Sequence, residues 1–182
     1  MPGKTEILKA AITLICGVAL VTDLWRKKIY NGLTIPAFLS GLLFSIYFGG
    51  MHGLADAFLG ALAGAVLYGW MFWVGVMGAG DVKLMMALGA WGGLRFSVEV
   101  ALLGVLVGGV MALLMLVFSG RFAGFLKRAY AFWLRVTIKE LEIEPMKIDR
   151  SYKMPFGVPI AVAAVWIVFA SPYVQWGVRL WG

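Results

Sequence analysis

Residues 96–118 read Phe-Ser-Val-Glu-Val-Ala-Leu-Leu-Gly-Val-Leu-Val-Gly-Gly-Val-Met-Ala-Leu-Leu-Met-Leu-Val-Phe. Past Glu99 the stretch carries no charge for 19 residues. A helix of that length rises about 28 Å, close to the roughly 30 Å hydrocarbon thickness of a bilayer. Similar runs lie on either side. They predict spans over residues 7–22, 33–49, 54–76, 82–94, 96–118 and 156–176. Pro36 falls near the start of the second, where a missing N–H costs little. The fourth is short for a full crossing and reads as tilted or as beginning inside the protein. The chain has 182 residues, 62% of them hydrophobic, and a mean hydropathy of +0.91. Soluble domains sit nearer half apolar. The expected fold is all-α: one membrane-embedded helical bundle over 1–182, with about six transmembrane helices.

Charge placement orients the bundle. The net charge is +7, and the basic residues do not form the aromatic-interleaved groove expected of a nucleic-acid binder. With the N-terminus outside, the loops 23–32, 77–83 and 119–155 hold 12 of the 16 Lys and Arg residues. Positive loops face the cytoplasm and its anionic headgroups. The expectation is therefore N-out and C-out in a bacterial inner membrane, with lipid as a partner. Lys4 and Lys9 before an apolar run resemble a signal peptide, but Arg26-Lys27-Lys28 at its far end hold that end in the cytoplasm.

Within 119–155, residues 121–141 differ. Phe122, Phe125, Leu126, Ala129, Tyr130, Trp133 and Val136 recur at helical spacing, while Lys127, Arg128, Arg135 and Lys139 lie largely off that stripe. The pattern predicts an amphipathic helix lying in the cytoplasmic interface. Glu140 to Arg150, with Pro145, reads as a solvated loop. Glycines four apart (Gly60/Gly64, Gly89/Gly93, Gly104/Gly108) suit close helix crossings. The one cysteine, Cys16, lies in an apolar run and reads as a small buried residue; no CxxC pair is present to hold zinc, and no metal or cofactor is expected.

Ionisable residues at spans are expensive unless used. The candidates are Asp23, His52, Asp56, Asp81, Lys83 and Glu99. His52, Asp56 and Glu99 fall at outer span ends and read as caps or solvated termini. Asp23 and Asp81 fall at cytoplasmic ends, where a bundle can bring them face to face. Two carboxylates meeting in a desolvated site share a proton. One then activates water as a base while the other donates to the scissile carbonyl. The plain alternative is two separate aspartates paired with Arg26, Lys27 or Lys83. Gly78-Ala79-Gly80-Asp81 places two glycines before the second acid, removing side chains where a substrate backbone would approach and permitting unusual dihedrals.

The Gly-x-Gly-Asp run resembles the signature of the membrane aspartyl proteases. Asp23-Leu24-Trp25-Arg26-Lys27-Lys28-Ile29-Tyr30-Asn31 resembles the first-aspartate segment of the type IV prepilin peptidases, with Tyr30 where that family often has Pro. Lys153-Met154-Pro155-Phe156-Gly157-Val158-Pro159 resembles the family's lead-in to its last span, with Val158 interposed. The three motifs stand in family order. The resemblance implies a membrane aspartyl endopeptidase that removes prepilin leaders, with Asp23 and Asp81 as the catalytic pair and a prepilin as its partner. The absence of paired CxxC motifs resembles the compact branch acting on Flp-type pilins of tight-adherence systems, with no N-methyl transfer expected. Gly78, Gly80, Lys83 and Asn31 are the expected supporting residues. Lys83 would act on Asp81 or snorkel to the interface, and Asn31 would cap the second span. Preflagellin peptidases and other intramembrane aspartyl proteases share the signature. A proton-coupled transporter, or a structural membrane subunit, would also carry membrane acids, but it would place them at the midplane within repeats, and no repeat is evident.

Overall fold

The computed structural model describes residues 2–120, 124 and 156–170. No strand occurs among them. Among the described residues four long helices follow in order: α1 (Pro2–Arg26), α2 (Asn31–Trp73), α3 (Ala79–Phe118) and α4 (Gly157–Ala170). Apart from Gly124, the amphipathic stretch 121–141, the loop after it and the end of the last predicted span lie outside the described residues.

At 43 and 40 residues, α2 and α3 would each rise about 60 Å or more, twice the hydrocarbon thickness. Each is broken by one glycine. Gly50 has φ 58° and ψ −146°, and Gly93 has φ 78° and ψ −176°. Side chains rarely take such a φ, and glycine adopts it without penalty. At Gly50 the chain doubles back, so that Gly53 packs directly on the backbone of Ser45. The predicted gaps 49–54 and 94–96 therefore hold reversals of almost no length, and the described residues form six helical segments. The helix α2 also begins earlier than the hydropathy suggests, which puts Pro36 in its second turn, inside the helix, where a missing N–H leaves one carbonyl unpaired.

The chain divides into two compact units, residues 1–108 with 155–182 and residues 109–154. In the second, the end of α3 exposes Val110, Leu113, Leu114 and Val117. In the first, the segment 79–92 is the centre of the packing. Leu84, Met85, Ala87, Leu88 and Ala90 on it are wholly buried. It was expected to be the shortest span, and it packs deep within the protein. The glycines explain how neighbours reach it. A methyl group on Gly64 would lie 2.9 Å from the Met85 carbonyl oxygen, and Gly60 meets the backbone of Gly89 and Gly93 directly. Close backbone approach of this kind is what small residues permit in a membrane. On the other side Gly41 makes room for Trp91, whose Nε1 donates to the Ala37 carbonyl at 2.8 Å. Ser45 Oγ donates to the Ala90 carbonyl at 3.1 Å.

The first and last helices are partners, for α1 packs mainly on α4. Ile12, Cys16 and Ala19 from α1 join Ile160, Ala164 and Ile167 from α4 in the same buried cluster. Cys16 is thus a core residue. Outward faces are apolar throughout, as Leu14, Leu43, Leu102 and Trp166 illustrate. Among the described residues three helices are long and apolar enough to cross a membrane, and α4 is a shorter apolar helix. Such a chain, unable to bury its apolar faces on itself, is a membrane protein.

Candidate active site

Asp23 lies in the last turn of α1 and Asp81 in the first turn of α3. Both are buried, at 4% and 7% exposure, and they are near enough to interact electrostatically. Acids so buried are rare unless paired or used. The topology explains the meeting: α1 descends to Asp23, α2 ascends and returns across Gly50, and α3 starts again at the same end.

Three short segments enclose the pair. The Gly78 N–H donates to Asp81 Oδ2 at 3.0 Å, and the Asp81 N–H donates to the Gly78 carbonyl at 3.1 Å. Asp81 thus closes a reciprocal turn that starts α3, much as a capping residue does. The Gly157 and Val158 N–H groups at the start of α4 face Asp23, yet its Oδ2 is buried with no hydrogen-bond partner. A methyl group on Gly157 would lie 2.7 Å from that oxygen. The third segment, 27–31, reverses direction after α1. Lys27 takes φ 50° and donates its N–H to the Asp23 carbonyl at 2.8 Å. Ile29 is then buried against Gly80.

The supporting residues behave differently from expectation. Neither Gly78 nor Gly80 has a positive φ. Their lack of a side chain serves packing: a methyl on Gly78 would lie 3.2 Å from Asp81 Oδ2, and one on Gly80 3.1 Å from Ile29 Cβ. Asn31 does not cap α2. The N-cap position is Tyr30, and no side chain bonds there. Asn31 Oδ1 instead accepts a hydrogen bond from Lys83 Nζ at 2.9 Å. A separation of 52 residues hides that pair from any local reading of the sequence.

Two residues that sequence reasoning passed over stand close by. Gly157 was read only as shaping the last span. Tyr68, wholly enclosed, donates to the Ala101 carbonyl at 3.3 Å and interacts electrostatically with Asp81. The other two acidic candidates, Asp56 and Glu99, lie at the opposite end. Asp56 Oδ1 accepts from the Leu94 N–H at 3.1 Å, capping the second segment of α3. Glu99 lies 3.6 Å from Arg95 Nε one turn away. Among the described residues no three His, Cys, Asp or Glu side chains gather in a set able to hold a metal.

Comparison with known proteins adds independent findings. The type IV leader peptidase family matches residues 10–113, more than half of the chain and including both aspartates. The chain is 34% identical over 119 residues to the prepilin leader peptidase/N-methyltransferase of Aeromonas hydrophila, covering 62% of this chain and 41% of that protein. Its likeness to the protein of the same description from Xanthomonas campestris is 31% over 172 residues, covering 87% and 48%. For Pseudomonas aeruginosa the figures are 36% over 123 residues, 63% and 42%. The chain thus spans less than half the length of these relatives. No solved structure matches it.

Proposed function

Since this chain belongs to the type IV leader peptidase family, we propose that it is a membrane aspartyl endopeptidase that cleaves prepilin leaders with Asp23 and Asp81. The carrying observation is the meeting of two buried acids at one end of the bundle, one of them with an unpartnered oxygen. Two carboxylates in such a place hold one proton between them. The ionised member takes a proton from water as the water adds to the scissile carbonyl, and the protonated member donates to the carbonyl oxygen. Collapse of the tetrahedral intermediate then expels the amine, which takes up a proton. The unpartnered Asp23 Oδ2 suits the water. Asp81, whose Oδ2 is held by the Gly78 N–H, suits the acid.

The active end faces the cytoplasm in this reading, because Arg26, Lys27, Lys28 and Lys83 cluster there. A substrate with a basic leader in the cytoplasm and an apolar helix in the bilayer presents its cleavage site at that depth. The relatives' second printed activity, N-methyl transfer, is not assigned to these residues, since the single thiol is packed in the core. The substrate class proposed is the Flp-type prepilin. Purified protein with a Flp-type prepilin, a longer type IV prepilin, a preflagellin and an unrelated membrane helix would test it. Cleavage of the first, lost in both Asp23→Asn and Asp81→Asn, is expected. Near-normal cleavage by either variant removes the pair from the reaction.

A further inference from the structure

The turn between α1 and α2 touches both acids' surroundings at once. Ile29 reaches in two directions: a methyl on Gly80 would lie 3.1 Å from its Cβ and 3.2 Å from its carbonyl oxygen, and a methyl on Gly157 would lie 3.0 Å from its Cδ1. Gly80 precedes Asp81, and Gly157 is the residue against Asp23 Oδ2. Two residues beyond Ile29, Asn31 Oδ1 accepts from Lys83 Nζ, two residues beyond Asp81. The turn is itself held in an unusual shape, for Lys27 has the left-handed φ that non-glycine residues rarely adopt.

We propose that residues 27–31 form a clasp that sets the spacing of the two aspartates, with Ile29 as its wedge and the Asn31–Lys83 hydrogen bond as its latch. The proposal rests on the peptidase reading above. Ile29, Asn31 and Lys83 are positioning residues: each acts on the reaction through the placement of Asp23 and Asp81. A packed wedge resists approach of the acids, and the latch resists their separation. Geometry this close to a reacting centre matters, since a displacement of about 1 Å can cost about a hundredfold in rate.

The experiment is a double-mutant cycle on Lys83→Met and Asn31→Ala, measured on the full chain in detergent with a Flp-type prepilin, beside wild type and Asp81→Asn. Each single variant is expected to lower kcat about tenfold with KM within about threefold, and the double to be no worse than the poorer single, as for two ends of one interaction. Lys83→Arg keeps the donor and should restore most of the loss. Ile29→Val, which trims one methyl, is expected to lower kcat about threefold, and Ile29→Ala more. Independently of cleavage, Asn31→Cys with Lys83→Cys should be joined by a short bis-maleimide in resting membranes. Losses that multiply in the double, losses seen only in the amount of folded protein, or failure of the cross-link overturn the clasp while leaving the peptidase reading intact. Cleavage undiminished in Asp81→Asn overturns both, whether or not the cross-link forms.

Discussion

The two ends of the bundle are built from the same parts and use them to opposite effect. At each end a helix starts beside an aspartate and a glycine. At the Gly93 end, Asp56 comes from another helix, accepts the Leu94 N–H and fills the space beside Gly93. Its charge meets the positive end of a helix and is spent there. At the other end Asp81 does the same for Gly78, but a second acid, Asp23, is buried nearby with an oxygen left over. A buried unsatisfied carboxylate oxygen costs stability unless something arrives to bond it. In the function proposed above, the difference separates an acid that holds a fold from a pair left open to a substrate.

The largest expected effect breaks the comparison directly. Asp23→Asn or Asp81→Asn should lower prepilin cleavage by about a thousandfold or more, as loss of a general acid or base does. Asp56→Asn should leave it within about twofold of wild type, since the amide keeps an acceptor for Leu94. Equal losses at both ends, in a side-by-side leader-cleavage assay, would erase the distinction.

Glycine substitutions sharpen it next. Gly157→Ala places a methyl against Asp23 Oδ2 and is expected to cost about ten- to a hundredfold in kcat, with the melting temperature in detergent little changed. Gly93→Ala forces a side chain into a left-handed φ beside Asp56. It should destabilise by about 1–3 kcal/mol while the folded fraction cleaves normally. Thermal unfolding and activity per folded molecule separate the two.

Asp56→Ala removes the helix cap and is expected to cost about 1 kcal/mol of stability without altering kcat. The smallest effect belongs to Glu99→Gln. The Arg95–Glu99 pair is largely exposed, and its loss should shift stability by no more than about 0.5 kcal/mol, read in the same melting experiment.

Much of this was legible in the sequence. Hydropathy gave the helical class and placed its interruptions near Gly50 and Gly93, because an apolar run cannot continue past one bilayer thickness. That Asp23 and Asp81 fall at the same end of the bundle followed from counting crossings. Partnerships between segments were not legible. Asn31 read as a cap because capping is a local property, and its bond to Lys83 depends on how α2 and α3 start side by side. Gly78 and Gly80 read as room for a substrate backbone and as conformational freedom; neither takes a positive φ, and the neighbours they make room for, Asp81 and Ile29, were not legible. A glycine in a sequence does not say which neighbour needs its space. Asp56 read as a cap or a solvated span end; that it caps, and that its client is Leu94, was not legible.

The packing of α4 on α1 sets a schedule as well as a shape. Asp23 is made early, and Gly157, which stands against its carboxylate, is made 134 residues later. At ribosomal rates of about 5–20 residues per second, that interval is on the order of ten seconds. For the later part of it, once Asp81 has followed 58 residues after Asp23, the nascent chain carries both acids without the wall that encloses the first. On the proposed reading, a proteolytic site walled only once the final helix is made stays idle while the chain is still being threaded among other unfinished membrane proteins.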